Sequence, residues 1–155
     1  MRLDEIMSTG VKTIDAAESA QAAWDRMAIE EIKHLVVMEN RAVVGVVSER
    51  DLGGRAGTGV RKNKRVSEVM TPQVVTAKSD TTIRQAANLL RGRGIGCLPI
   101  MVGDKVAGIV TATDLLELLG RGQERPGPRA ERAVLSRRQE KFRKVPASAM
   151  KASAR

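Results

Sequence analysis

The order of apolar and polar positions along this chain predicts the same set of elements twice. Apolar residues recur every three to four positions in 20–27 and again in 83–90, which predicts one amphipathic helix in each half, with Asp80 as the N-cap of the second. Each helix follows a short extended segment and precedes two apolar runs that predict a strand hairpin. The predicted extended segments and strands cover residues 11–14, 35–38, 42–47, 74–77, 98–102 and 105–110.

The two halves also match residue by residue at a constant distance. The segment Gly45–Leu52 returns as Gly108–Leu115, 63 residues later, and Ile6-Met7-Ser8 returns as Val69-Met70-Thr71. A constant offset excludes insertions between the copies and indicates a duplicated supersecondary unit. A Ser/Thr-x-x-Asp step starts a second helix in each copy, which Gly53-Gly54 cuts short in the first. We therefore predict the order β-α-β-β-α in both copies.

These patterns predict an α/β (α+β) fold in which two pseudo-symmetric repeats pack as one unit. The first domain covers residues 1–57, with a flexible, Gly-rich and basic linker to residue 64, and the second covers 65–120. A core of about 55 residues is marginal on its own, so the repeats are expected to pack against each other. Residues 121–155 are predicted to be a basic C-terminal tail, helical over 129–145 and disordered at its end.

The charge of the chain is concentrated in this tail. Residues 121–155 hold 11 basic and 3 acidic residues, and the whole chain has a formal net charge of +9. Such a tail suits an acidic partner or nucleic acid. Aromatic residues make up only 1% of the chain, so the repeats offer no aromatic platform on which bases could stack.

Single reactive residues and missing motifs exclude other classes. Cys97 is the only cysteine and His34 the only histidine, so we expect no internal disulfide, no histidine metal cluster and a reducing compartment. The N-terminus lacks a signal-peptide pattern and no apolar run is long enough to span a membrane, which predicts a cytoplasmic protein. The sequence has no Ser–His–carboxylate set and no Gly-Lys-Ser/Thr phosphate loop, so we do not predict an enzyme.

The Ser/Thr-x-x-Asp step has two interpretations. A hydroxyl followed three residues later by a carboxylate is the pattern of a helix N-cap, which needs no ligand. A carboxylate at a strand-to-helix turn can also accept both hydroxyls of a ribose, and the adjoining helix N-terminus favours a phosphate. Because Ser48/Asp51 and Thr111/Asp114 repeat the step behind the same apolar strand, we favour a duplicated nucleotide site.

Together these motifs resemble CBS domains, named for cystathionine β-synthase, and residues 2–119 are similar to a tandem CBS pair (a Bateman module). The similarity depends on Ile/Val-Met-Ser/Thr opening each copy, Ile-x-x-Leu-Pro-Ile in the second copy, and Gly-h-h-Ser/Thr-x-x-Asp closing each. It implies two clefts, each combining the closing motif of one copy with opening residues of the other. The first implied cleft consists of Val46, Ser48, Asp51, Thr71, Thr76, Ile95 and Gly96. The second implied cleft consists of Ser8, Thr13, Ile32, Lys33, Ile109, Thr111 and Asp114.

Basic residues distinguish the first copy from the second. Lys33 and His34 stand where nucleotide-sensing members of the family often carry a basic pair that faces the phosphates. Arg50 adjoins Asp51, whereas the matching position in the second copy is Thr113. All three are candidate phosphate contacts, which predicts that the Asp51 cleft accepts more phosphates. The alternative is that Lys33 is solvated and His34 is a strand-edge residue.

The resemblance predicts a regulatory sensor of AMP, ADP or ATP, with S-adenosylmethionine or NAD as alternative ligands, and with no catalytic cofactor and no metal. It also implies a homodimer, for which helix faces such as that around Trp24 and Met27 would need a partner. The alternative function is a protein that binds nucleic acid or an acidic partner through the tail and uses the CBS pair as a dimerisation scaffold.

Overall fold

The computed structural model describes residues 1–122 of the chain, so the predicted tail helix and disordered end lie outside the described residues. A 3-10 turn at Leu3–Glu5 precedes the first strand. The strands are β1 Thr13–Asp15, β2 His34–Glu39, β3 Ala42–Ser48, β4 Ala77–Lys78, β5 Cys97–Val102 and β6 Lys105–Thr111. The helices are α1 Ala20–Glu30, α2 Thr58–Arg61, α3 Val66–Val69, α4 Ile83–Arg93 and α5 Ala112–Gly120.

Each copy forms a three-stranded sheet, with the order β1-β2-β3 in the first and β4-β5-β6 in the second. The outer short strand runs parallel to the middle strand, and the hairpin that follows the helix is antiparallel. Equivalent residues have equivalent partners, since Val36 pairs with Val46 and Pro99 pairs with Ile109. The fold class is confirmed, and the order β-α-β-β-α is confirmed in the second copy. In the first copy a turn over residues 49–53 stands in place of the predicted short helix before Gly53-Gly54.

The two copies interlock by exchanging their opening segments. Leu3 is fully buried in the core of the second copy, and Val66 is fully buried in the core of the first. Backbone hydrogen bonds fix the exchange: Leu3 N donates to Thr81 O at 2.9 Å, and Val66 N donates to Glu18 O at 2.8 Å. Neither core is complete without a residue from the other copy. This explains how two units of marginal size form one stable body.

Two equivalent hydroxyls start the long helices. Ser19 Oγ accepts a hydrogen bond from Ala22 N at 3.0 Å in α1, and Thr82 Oγ1 accepts one from Gln85 N at 3.3 Å in α4. The prediction of Asp80 as the N-cap of α4 was wrong, because Thr82 directly precedes the first helical residue. The extended backbone of Thr82 places its hydroxyl where it accepts the hydrogen bond from Gln85 N in the first turn of the helix.

The segment predicted as a linker between the copies contains a short helix and contacts the first copy. Residues 58–61 form α2, and the Arg61 side chain is only 3% exposed. Arg61 Nη1 donates to Leu52 O and Gly54 O, both at 2.7 Å, and its guanidinium lies 4.1 Å from the centre of the Trp24 ring. A buried cation is tolerated when its hydrogen bonds are made, so Arg61 attaches this segment to the first copy.

The helix face around Trp24 and Met27 is not a free surface. Met27 belongs to the core of the first copy, and Trp24 packs against that core beneath Arg61. The large apolar side chains that do face solvent on long helices include Leu116 and Leu119, one turn apart on α5. The homodimer stays a prediction, which light scattering of the full chain tests. No helix in residues 1–122 is long and apolar enough to cross a membrane.

Candidate functional site

The closing motif of each copy forms a reciprocal cap at the end of the last strand. Asp51 Oδ2 accepts hydrogen bonds from Ser48 N at 2.8 Å and Ser48 Oγ at 2.9 Å, while Asp51 N donates to Ser48 Oγ at 3.2 Å. Thr111 and Asp114 repeat this arrangement with the same three distances. The helix N-cap interpretation is therefore confirmed for Thr111/Asp114, which starts α5, whereas Ser48/Asp51 makes the same hydrogen bonds at the start of a turn. Capping leaves room for a second role, because no hydrogen bond within the described residues ends on Asp51 Oδ1.

One pair of backbone hydrogen bonds joins each closing strand to the opening segment of the other copy. Val46 N donates to Thr71 O at 3.1 Å, and Thr71 N donates to Val46 O at 2.8 Å. The equivalent pair between Ser8 and Ile109 has both distances at 3.0 Å. Gly45 permits this approach, since a Cβ there would lie 2.5 Å from the Met70 sulfur. The sequence resemblance predicts these partners across the copies, and the structure brings them together.

A cavity of about 640 Å³ opens beside the Ser48/Asp51 motif. Its walls come from both copies, and the lining residues are Lys33, His34, Val46, Ser48, Glu49, Arg50, Asp51, Gly54, Thr71, Gln73, Val74, Val75, Gly94, Ile95, Gly96, Cys97, Ala112 and Thr113. Positions that are equivalent in the two copies line the same wall: Lys33-His34 matches Gly96-Cys97 at the 63-residue offset, and Arg50 matches Thr113. The cavity therefore spans the junction between the two copies.

The geometry of the α4 C-terminus presents Ile95 and Gly96 to this cavity. Gly94 adopts a left-handed conformation with φ of 63°, and Ile95 N then donates back to Leu90 O at 3.1 Å. This is a helix stop that glycine favours. The His34 ring packs against Gly96, where a Cβ would lie 2.8 Å from its Nε2. The absence of a side chain at Gly96 makes room for the histidine of the other copy.

Most residues of the first implied cleft line the cavity. Those that do are Val46, Ser48, Asp51, Thr71, Ile95 and Gly96. Thr76 is exposed and is not part of the wall, because the residues between Thr71 and β4 that face the cavity are Gln73–Val75. Sequence reasoning missed Gln73–Val75 as site residues, although the match of Val74 with Val11 in the repeat was a signal.

The second implied cleft is assembled only in part. The structure joins Ser8 to Ile109 and Thr111 to Asp114, and Asp114 is only 9% exposed. Ile32 packs against the core of the first copy, and the Thr13 carbonyl accepts a hydrogen bond from Arg26 Nη1 at 2.8 Å.

The assignment of Lys33 to the second cleft needs correction, because Lys33 and His34 line the Asp51 cavity. The reason is the register of the hairpin, in which His34 pairs with Ser48 of its own copy. Glu49 N also donates to Lys33 O at 2.9 Å.

The cavity wall shifts the protonation of two residues. Burial lowers the pKa of His34, and the nearby charge of Asp51 only partly opposes this effect. Burial also raises the pKa of Cys97 to about 12, with the charge of Asp51 as the smaller cause. Both side chains are therefore neutral at pH 7. The fixed charges of the wall are those of Lys33, Arg50 and two carboxylates.

These observations define a duplicated α+β fold with a cavity at the junction of the two copies. The CBS domain family matches residues 3–52 and 66–121, and the chain belongs to this family. Homoserine O-acetyltransferase of Methanohalobium evestigatum is 32% identical over 119 residues, which are 76% of this chain and 24% of that protein. Inosine-5'-monophosphate dehydrogenase of Nitrosopumilus maritimus is 34% identical over 119 residues, 74% of this chain and 23% of that protein. The chain thus spans about a quarter of the length of these curated relatives.

A solved structure gives the same fold with ligands bound. The CBS domain pair of protein MJ0100, in complex with 5'-methylthioadenosine and S-adenosyl-L-methionine, is 25% identical with a TM-score of 0.71. The match covers 78% of this chain and 97% of that chain. In that protein, the pair of copies binds ligands that carry an adenosine group.

Proposed function

We propose that the CBS pair of this chain is a regulatory module that binds an adenosine nucleotide in the cavity beside Ser48 and Asp51. The observation that carries the proposal is the cavity itself, because a closing motif of one copy and opening residues of the other contribute to its walls. The adenosine ligands of the MJ0100 pair support this choice of ligand class. The proposed function is binding and regulation, with no reaction catalysed by this module.

Three groups of side chains would divide the ligand between them. Oδ1 of Asp51 is available to accept a ribose hydroxyl while Oδ2 keeps its hydrogen bonds to Ser48. Val46 and Ile95 offer branched apolar surfaces for the adenine ring. Lys33 and Arg50 offer positive charge for phosphate oxygens, which bind cationic donors more strongly than neutral ones.

Binding in this cavity would act on the arrangement of the two copies. A ligand shifts a conformational equilibrium only by its difference in affinity for the two states. Because the walls come from both copies, any change in how the copies meet changes the ligand contacts. We propose that occupancy is transmitted in this way to a partner protein or to further domains. In the longer relatives, the region that matches this chain is about a quarter of the whole protein, so further domains accompany it there.

Asp51→Asn tests the ribose assignment. Asn keeps one oxygen that can accept from Ser48 N, so the cap survives in part while the charge is lost. Loss of a hydrogen bond to a charged group costs about 1.5–3 kcal/mol, which predicts a roughly ten- to hundredfold weaker affinity. The ligand set is AMP, ADP, ATP, NAD, S-adenosylmethionine and 5'-methylthioadenosine, measured by calorimetry. Asp80→Asn, at an exposed turn, is the matched control and should bind as the parent protein does.

The same measurements distinguish a failure of the proposed function from a failure of the site assignment. If no ligand of the set binds the parent protein at millimolar concentration, the proposed function is wrong. If a ligand binds equally well to Asp51→Asn and to the parent protein, the function stands and the site assignment fails. Arg50→Ala separates the phosphate contacts, because it should weaken ATP more than AMP. Equal losses for both ligands would mean that Arg50 contacts a part that AMP and ATP share, and no loss for either would mean that Arg50 is only solvated.

A further inference from the structure

A second concave surface lies on the segment that joins the two copies. Its volume is about 750 Å³, and it is lined by Ala17, Ser19, Gln21, Thr58, Gly59, Arg61, Lys62, Asn63, Lys64 and Arg65. We call it the linker cavity. The segment 53–65 lies between the two ranges that match the CBS domain family, so this cavity is formed mainly by the connection between the repeats.

The charged residues of the linker cavity all have the same sign. Four cationic residues line it, and no carboxylate does. Lys62, Lys64 and Arg65 are exposed, and none of them forms an ion pair with another residue in the range 1–122. Such a concentration of one charge in a concave surface attracts counter-ions and raises their local concentration.

Backbone hydrogen bonds order the main chain of the residues that carry these cations. Ala20 N donates to Lys64 O at 2.8 Å, and Ser19 pairs with Arg65 in an isolated β-bridge. Lys62 N donates to Thr58 O at 3.0 Å and closes the turn of α2. Below them, Arg61 is fixed by two carbonyls and by the Trp24 ring. A ligand would meet cations whose main chain is already ordered, which lowers the entropic cost of binding.

We propose that the linker cavity binds an oligophosphate chain, such as inorganic tripolyphosphate. Lysine and arginine are the side chains that bind phosphate oxygens, as point charges and as a planar fork respectively. No aromatic side chain lines the cavity, so a nucleobase has no ring on which to stack. The ligand is therefore recognised by its phosphates. This proposal is independent of the nucleotide site, which is a separate cavity with other residues.

Trp24 is a built-in probe for this binding. It is the only tryptophan of the chain, and its ring lies 4.1 Å from the Arg61 guanidinium that lines the cavity. The basic tail will also attract polyanions, but it contains no tryptophan. The experiment is a titration of the full chain with sodium tripolyphosphate, followed by tryptophan fluorescence and by calorimetry. Sodium sulfate at matched ionic strength is the salt control. We expect a saturable change that sulfate does not reproduce.

Charge-removing variants assign the change to the cavity. Lys62→Gln with Lys64→Gln should weaken tripolyphosphate binding about fivefold, because each ion pair at an exposed site contributes only modestly. Lys78→Gln with Lys105→Gln removes the same charge from exposed positions of the second copy and should leave the affinity unchanged.

Several results would overturn the proposal. Equal losses in the two double variants would mean that only net charge matters. No response in either fluorescence or heat at millimolar tripolyphosphate would also reject it. Tighter binding of a hexaglutamate peptide or of a short single-stranded oligonucleotide would reject an oligophosphate as the ligand.

Discussion

Replacement of Arg61 by methionine tests whether this one side chain holds the connecting segment on the first copy. Arg61 is 40 residues from Gln21 in sequence, and its Nε donates to Gln21 Oε1 at 3.3 Å. Its Nη1 donates to Leu52 O and Gly54 O, both at 2.7 Å. Methionine keeps an apolar stem of similar length, so the substitution removes the charge and the donors with little change in packed volume.

The expected loss of stability follows from these contacts. Hydrogen bonds to a charged group contribute about 1.5–3 kcal/mol each, and a cation over a tryptophan ring adds about 0.5–2 kcal/mol. The desolvation of a buried guanidinium opposes these gains by several kcal/mol. We therefore expect Arg61→Met to lower the free energy of unfolding by about 2–4 kcal/mol, since the Leu52 carbonyl loses its donor and the Gly54 carbonyl keeps only the one from Gly57 N.

The assay is urea denaturation of the full chain, followed by far-ultraviolet circular dichroism. Tryptophan fluorescence is unsuitable here, because the substitution removes the cation stacked on Trp24. Arg55→Met is the matched control: Arg55 lies in the same segment and is exposed, so its loss should change stability by less than about 0.5 kcal/mol. If Arg61→Met and Arg55→Met have equal stabilities, the segment is not held by Arg61 and the reasoning fails.

Three further predictions concern the cores and the cavity wall. Leu3→Ala should lower the free energy of unfolding by about 3 kcal/mol, because Leu3 completes the core of the second copy. Leu119→Ala, at a side chain that is 76% exposed, is the control and should leave this free energy unchanged. Equal urea midpoints for the two variants would contradict the exchange of opening segments between the copies. Cys97, whose pKa is raised to about 12, should react with Ellman's reagent at about pH 8 at least a hundredfold more slowly than in denaturant. Burial lowers the pKa of His34, so the unfolded state takes up its proton first as the pH falls, and stability is lost on going from the ordinary histidine pKa of 6.5 towards the lower folded value. His34→Gln should lose less stability than the parent protein over that range, and parallel pH profiles would show that His34 does not contribute.

The hairpins and long helices could be predicted from the sequence because their signals are local. Runs of β-branched residues predicted β2, β3, β5 and β6 to within one residue at each end. The resemblance to the CBS family implied that the closing motif of the first copy shares a cleft with Thr71 of the second, and Val46 and Thr71 do exchange two backbone hydrogen bonds. Most residues of the first cleft that the resemblance implied line the Asp51 cavity.

Features that depend on distant partners could not be predicted. A Gly-rich, basic composition indicates a loop, and nothing near Arg61 in sequence reveals that its guanidinium will lie over Trp24. The exchange of opening segments has the same origin, because an apolar pattern shows that Leu3 is buried but not in which core. The error over Lys33 arose from carrying a motif across before the hairpin register was known.

The two clefts differ because some equivalent positions carry different residues in the two copies. Both closing motifs have the same hydrogen-bond distances, so the motifs alone would give two equal clefts. The Asp51 cavity is asymmetric because Lys33 and His34 of the first copy line it together with Gly96 and Cys97, the different residues at the equivalent positions of the second copy. The connecting segment exists only once between the copies, and through Gly54 it contributes to the same wall. Arg61 binds the Gly54 carbonyl and also lines the linker cavity, so a single buried side chain lies between the two cavities. The repeated unit supplies the common fold, and we propose that ligand preference depends on these unrepeated residues.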